Sequence, residues 1–306
     1  MVIGPWADQS FLEFFKSHIF SLFYRSALFF GILRQSEISH NISIHSKTGT
    51  LRGMDNLLTR TQILGIKLQQ LIDFFTFIPV GIASVFFMRF IRKNTFINIE
   101  SMRERYRDIT KDKKPTLICS NHLTMFDSIY IHFALNNVFG YIKHFRLFSW
   151  NVPAVESFKN SFFISLLTFL GKCIPIDRTG SSEHHKLILN KLKYLLLNGE
   201  TVTMFPEGGR SRTGKLDVEN VRYGAGNILQ ELDTYQVACI YMRGLTQKTY
   251  TTLPEKGDQI YFSIETIEPK TEQKGIRGSR DISLQIINKL KEMEDEFFRK
   301  YPESQL

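Results

Sequence analysis

The apolar positions of this chain fall into two regimes. Before residue 100 they come in long, nearly unbroken blocks. Beyond it they come in short runs separated by polar stretches of helical length. Residues 68–91 are the strongest block. Its charge-free part, 74–88, makes a helix of ~22 Å, short of the roughly 30 Å hydrocarbon core of a bilayer. Pro79 interrupts it. The pattern predicts a kinked helix or helical hairpin sunk into one leaflet, with Arg89, Arg92 and Lys93 meeting anionic headgroups. A buried helix of a globular core is the plainer alternative.

Beyond residue 100 the spacing predicts strands over 116–120, 138–143, 172–176, 201–205, 236–242 and 259–266. It predicts helices over 127–135, 182–197, 226–232 and 280–300. Strands alternating with helices indicate an α/β fold, a mostly parallel central sheet covered by helices. Upstream, residues 11–33 are apolar but broken by Lys16, His18 and Arg25, and 34–60 are polar and read as a linker. Asp8 and Glu13 stand where a secretory signal carries positive charge. The expected division is an N-terminal extension and linker over 1–60, an apolar membrane-associating helical segment over 61–100, and an α/β domain over 101–306.

Composition narrows the partners. With 306 residues the chain can bury a full α/β core, and its net charge of +9 favours anionic partners: phosphate esters, acidic headgroups or nucleic acid. The basic stretch 103–114 lacks the aromatic interleaving of a single-strand platform and reads as a solvated or headgroup-facing surface. The 27 phenylalanines fit an aromatic core or contact with acyl chains. Cys119, Cys173 and Cys239 each sit in a strand-like apolar run, match no zinc spacing, and read as buried core thiols in a reducing compartment.

Chemistry-bearing residues cluster after two predicted strands. Asn121-His122-Leu123-Thr124-Met125-Phe126-Asp127 follows the first. Within one helix, His122 and Asp127 would diverge by ~140°, so a strand-to-helix turn must hold His122, with Asp127 at the helix start. Such a pair suits a general base whose tautomer a carboxylate fixes; the plainer reading is a helix cap beside a surface histidine. Phe205-Pro206-Glu207-Gly208-Gly209-Arg210-Ser211-Arg212-Thr213-Gly214 follows the strand over 201–205. Its glycines allow close backbone approach, and its arginine forks match phosphate oxygens. Residues 209–215 also match the first seven positions of a nucleotide-binding P-loop, but Leu216 replaces the magnesium-binding hydroxyl. Gly171-Lys172-Cys173-Ile174-Pro175-Ile176-Asp177-Arg178 delivers an Asp-Arg pair to its own end, as a surface ion pair or as a third part of the same crevice. No Gly-x-Ser-x-Gly elbow is present, which favours direct attack by a substrate hydroxyl over an acyl-enzyme.

Asn121-His122-x4-Asp127, Ile176-Asp177-Arg178 and Phe205-Pro206-Glu207-Gly208-x-Arg210-Ser211-Arg212, in this order, resemble the glycerolipid acyltransferase family over roughly residues 60–270. The resemblance implies His122 as the base and Asp127 as its orienter. It implies that Arg178, Glu207 and Arg210, with Gly208, Ser211 and Arg212 of the same motif, bind the acceptor and its phosphate. It also implies an acyl-CoA or acyl-carrier-protein donor, no cofactor or metal, no nucleic-acid partner, and an apolar helical pair seating the site on the cytoplasmic face of a membrane. The expected acceptor is the 2-hydroxyl of 1-acylglycerol 3-phosphate. Alternatives are glycerol 3-phosphate, which the 207–215 run fits as well, another lysophospholipid, or a non-catalytic anionic-lipid binder. The family's proline-bearing fourth motif is matched by Val237-Ala-Cys-Ile-Tyr241, which lacks the proline.

Overall fold

Thr59 opens the longest of the described helices, α1 (Arg60–Phe86). Its side chain accepts from the Gln62 N–H, and Gln62 accepts from the Thr59 N–H in return. The computed structural model describes residues 57–304 except residue 161, so most of the expected 1–60 extension lies outside the described residues. A five-residue π turn, Phe87–Ile91, prolongs α1, and Pro79 sits inside it. The block is therefore one continuous helix and not a hairpin, long and apolar enough by length and composition to cross a membrane.

The amphipathicity of α1 is inverted. Gln69 Nε2 donates to the Cys173 carbonyl at 3.0 Å, Gln70 Nε2 to Glu200 Oε1 at 2.8 Å, and Asp73 is fully buried. Leu68, Leu71, Phe75, Ile78, Ile82 and Phe86, at steps of three and four residues, face outward and are exposed. The two glutamines, with buried Ile66 and Phe77, thus fix the helix to the domain, and an apolar stripe is left on the outside.

The remaining elements, in chain order, are β1 (Thr95–Ile97), α2 (Ile99–Thr110), β2 (Thr116–Ser120), α3 (Asp127–Leu135), α4 (Val138–Lys143), β3 (Trp150–Asn151) and α5 (Phe162–Phe169). There follow α6 (Ser182–Leu197), β4 (Thr201–Met204), α7 (Gly224–Leu229), β5 (Gln236–Gly244), β6 (Gln259–Ile267) and α8 (Gly275–Lys300). The strands form one six-stranded sheet in the order β1-β6-β5-β2-β4-β3, antiparallel at β5–β6 and parallel elsewhere. This is the mixed α/β, mostly parallel sheet expected from the alternation.

Alternate residues serve opposite faces, as the strand period of two requires. Leu117, Cys119, Val202, Val237 and Cys239 pack against α6, α7 and α8. Ile118, Ala238, Ile240, Met242 and Phe262 pack on the other face against α1, α2, α3 and α4. Cys119 and Cys239 are in register on neighbouring strands and buried, whereas Cys173 is half-buried outside any strand.

Several predicted elements need correction. Residues 138–143 form helix α4, because the Asn137 side chain caps it through the Gly140 N–H at 2.7 Å. Residues 172–176 make only isolated bridges to Asn151 and Ala154; Lys172, at φ 49°, interrupts regular strand geometry, and β3 takes the edge position instead. Helix α7 is shorter than predicted, and α8 begins five residues earlier. The basic stretch 103–114 is largely exposed, as expected of a solvated surface, with Arg103 turned inward. Arg103 lies over the Phe133 ring and donates to its carbonyl, while Arg105 and Lys114 pair with Glu265 and Glu268.

Candidate active site

The site begins where β2 ends. Asn121 bridges to β5: its Nδ2 donates to the Met242 carbonyl and its Oδ1 accepts from the Met242 N–H, both at 2.9 Å. The chain then turns, and Asp127 opens α3 as the sequence spacing requires. Asp127 is 1 % exposed. Its Oδ2 accepts from the Leu123 and Thr124 N–H groups at 2.7 and 2.9 Å and lies 2.9 Å from His122 Nδ1. Its Oδ1 accepts from Thr124 Oγ1 at 2.5 Å. A carboxylate so held is an acceptor toward His122, so Nδ1 carries the proton and Nε2 keeps a lone pair. The imidazole stacks on the Phe205 ring, centroids 4.2 Å apart and planes 20° from parallel. No protein partner of Nε2 occurs among the described residues, and His122 lines a cavity of about 720 Å³, within the usual range of small-molecule sites, roughly 300–1,000 Å³.

The second motif is tied to the first through Glu207. Its Oε1 accepts from the His122 N–H at 2.8 Å and its Oε2 from the Asp217 N–H at 3.2 Å, while Ser211 N–H donates to the His122 carbonyl at 2.9 Å. Burial pushes the Glu207 carboxyl up to about 8, against the opposing pull of the two backbone donors. Glu207 therefore faces the protein interior and joins the two loops. Ser211 is also buried and donates to the Lys215 carbonyl. Arg212 is exposed and does not line the cavity.

Arg178, Gly208 and Arg210 do line the cavity with His122. The Arg178 guanidinium donates to the Gly208 carbonyl, and its backbone N–H donates to Glu156 at 3.3 Å, so the Asp177–Arg178 ion pair considered from sequence is not formed. Asp177 accepts instead from Thr179. Arg210 lies over the Tyr250 ring at 5.4 Å. Gly208 has φ 65°, and a Cβ there would meet Arg222 Cγ at 2.4 Å, so this glycine permits both the turn and the close passage of Arg222. No helix follows residues 209–215 until α7, so the helix N-terminus a P-loop needs is absent there.

Sequence reasoning missed Arg222, a third exposed arginine at the cavity, because it lies in no motif and reaches the site only through the fold of the 206–223 segment. It also missed the role of Arg243. That side chain is fully buried and donates to the carbonyls of Gly214 and Gln247 while lying 4.9 Å from the Phe298 ring centroid, so it braces the motif loop from behind. From the charged end the cavity runs between α1, α3 and α4, along Phe77, Gly81, Val85, Met88, Ile129 and Val138. One opening thus joins an Asp-held histidine, three arginines and a long apolar wall. No curated protein matches the chain at significant similarity. Over residues 95–242, the span holding all three motifs, the chain matches a family model described as Acyltransferase.

Proposed function

We propose that this protein moves a fatty acyl group from an acyl-CoA or acyl-carrier-protein thioester to the 2-hydroxyl of 1-acylglycerol 3-phosphate, giving phosphatidic acid. The observation that carries the reading is the cavity itself: the free Nε2 of an Asp-held histidine, three arginines and an apolar arm share one space. Arg178, Arg210 and Arg222 bind the acceptor phosphate, the bidentate partner that guanidinium forks favour. Held so, the acceptor hydroxyl lies against His122, which removes the entropic cost of finding it. Nε2 takes the hydroxyl proton as the oxygen attacks the thioester carbonyl, and Asp127 stabilises the imidazolium. When the C–S bond breaks, the imidazolium returns the proton to the departing thiolate, leaving the ester and a free thiol.

The acyl chain lies in the apolar arm between α1 and α3. The outward stripe of α1, with Phe139 at 82 % exposure on neighbouring α4, supports association with a membrane. We propose a monotopic seat on the cytoplasmic leaflet, from which a lysolipid reaches the cavity directly. Acyl transfer from oleoyl-CoA by the detergent- or liposome-supported protein tests the reading, with 1-acylglycerol 3-phosphate and glycerol 3-phosphate offered as separate acceptors. His122→Ala is expected to lower kcat by about 10²–10⁴-fold without lowering Tm. Turnover that survives the substitution removes His122 as the base. Preference for glycerol 3-phosphate replaces the acceptor and keeps the chemistry.

A further inference from the structure

The apolar arm of the cavity carries one polar group that nothing among the described residues satisfies. Asn151, on edge strand β3, is 8 % exposed and lines the cavity, and its Oδ1 is buried without a hydrogen-bond partner. Its backbone is fully paired: the N–H donates to the Lys172 carbonyl and the carbonyl accepts from the Ile174 N–H, both at 2.8 Å. Other polar groups in the same wall satisfy one another. His132 Nε2 lies 2.7 Å from Ser149 Oγ, which lies 2.6 Å from Thr203 Oγ1. Burial holds the His132 imidazole neutral, with its pKa pushed down to about 4, so this chain of groups adds no charge to the cavity. Among the cavity-lining residues described, only the Asn151 amide is left facing the space with a buried polar atom unpaired.

Its depth is set by register. Asn151 pairs with Thr203 on β4. Two residues further on, the ring of Phe205 stacks on His122. That places Asn151 ~6.6 Å along the strand direction from the catalytic level. An acyl chain with its carbonyl at His122 passes Asn151 a few carbons into the chain. On that face of the sheet the cavity-lining rings of Phe148 and Phe205 are apolar and offer the amide nothing. A plain hydrocarbon would leave the amide buried and unpaired, whereas a hydroxyl both donates and accepts and so pairs with the amide in either orientation of its O and N.

We propose that Asn151 is a specificity residue that hydrogen-bonds a hydroxyl carried on the proximal part of the acyl chain, making hydroxyacyl thioesters the preferred donors. The proposal rests on the acyl-transfer reading of the site. It is tested with the full-length protein by measuring kcat/KM for a series of equal-length thioesters on CoA and on carrier protein. The series holds one unsubstituted chain and chains bearing a single hydroxyl at successive positions. One position is expected to exceed the unsubstituted chain by about tenfold or more. Asn151→Leu is expected to abolish that preference and to raise use of the unsubstituted donor. A flat wild-type series overturns the proposal without any variant, because it means that solvent serves the amide. A preference that persists in Asn151→Leu, or in Asn151→Ala where the leucine variant does not fold, overturns the assignment to this residue. Transfer from unsubstituted donors with no hydroxyl preference sinks this inference alone, whereas no transfer from any donor sinks the acyl-transfer reading with it.

Discussion

The two faces of the sheet are built from the same strands and are put to opposite uses. On one face α6, α7 and α8 seal a filled core around Val237, Ile286 and Leu290, all fully buried. On the other, α1, α3 and α4 border the cavity, whose wall includes Gly81, Ser84 and Asn151 and whose lining also reaches His185 of α6 and Gly224 and Ala225 of α7. Both faces draw on alternate positions of the same strands, so strand sequence alone does not separate them. The difference lies in the helices. A helix held by close apolar packing along its length excludes space, whereas α1, held by Ile66, Phe77 and the side-chain hydrogen bonds of Gln69 and Gln70, presents Gly81 and Ser84 to the space beside it. One face supplies stability and the other supplies room for a substrate.

That contrast can be broken from either side. Leu290→Ala on the sealed face is expected to cost about 2–5 kcal/mol of stability and to leave kcat per folded molecule unchanged. Urea denaturation beside an acyl-transfer assay checks it, and a large change in kcat would mean that the two faces are coupled. Arg178→Ala on the open face should do the reverse. The acceptor KM rises by about 10- to 100-fold, the loss of a charge-assisted contact worth ~1.5–3 kcal/mol, and Tm moves little.

The next test uses pH. Burial lowers the His132 pKa from the ordinary 6.5 to about 4. In that window the unfolded chain binds the proton and the folded one does not, so this group's contribution to stability is complete above 6.5 and is lost as pH falls toward 4. His132→Gln should remove that part of the slope, on the order of 1–3 kcal/mol across the window. Urea midpoints at several pH values decide it, and parallel curves for the two proteins would show that His132 does not titrate as its burial requires.

The smallest expected effect on stability is that of Gly81→Leu. A Cβ on Gly81 makes ordinary 3.5 Å contacts with Phe77 and Val138, so the helix tolerates a side chain. Replacing an interior helical glycine favours the helix by about 0.5–1 kcal/mol. The leucine should project into the apolar arm and shift donor use toward shorter chains. A chain-length series checks this, and an unchanged profile would place the acyl chain elsewhere.

The sequence by itself determined the parallel α/β plan and the turn that sets His122 against Asp127. Both follow from local rules: strand period, helix period, and an acidic residue at a helix start five residues after the histidine. It also marked the resemblance to the acyltransferase family, because three motifs each sit within a few consecutive residues. Only the tertiary structure decided that Glu207 faces inward as a brace while Arg222 stands at the cavity, since burial direction depends on neighbours far along the chain. The same holds for 138–143, where six apolar-rich residues suit either a strand or a helix and the Asn137 cap decided for the helix. It holds for α1 too. Hydrophobicity fixed that it is apolar, but which stripe faces outward depended on where Cys173 and Glu200 stand to receive its polar side chains. Local periodicity fixes an element's type, while the side it shows to the rest of the molecule is set by partners at long sequence separation.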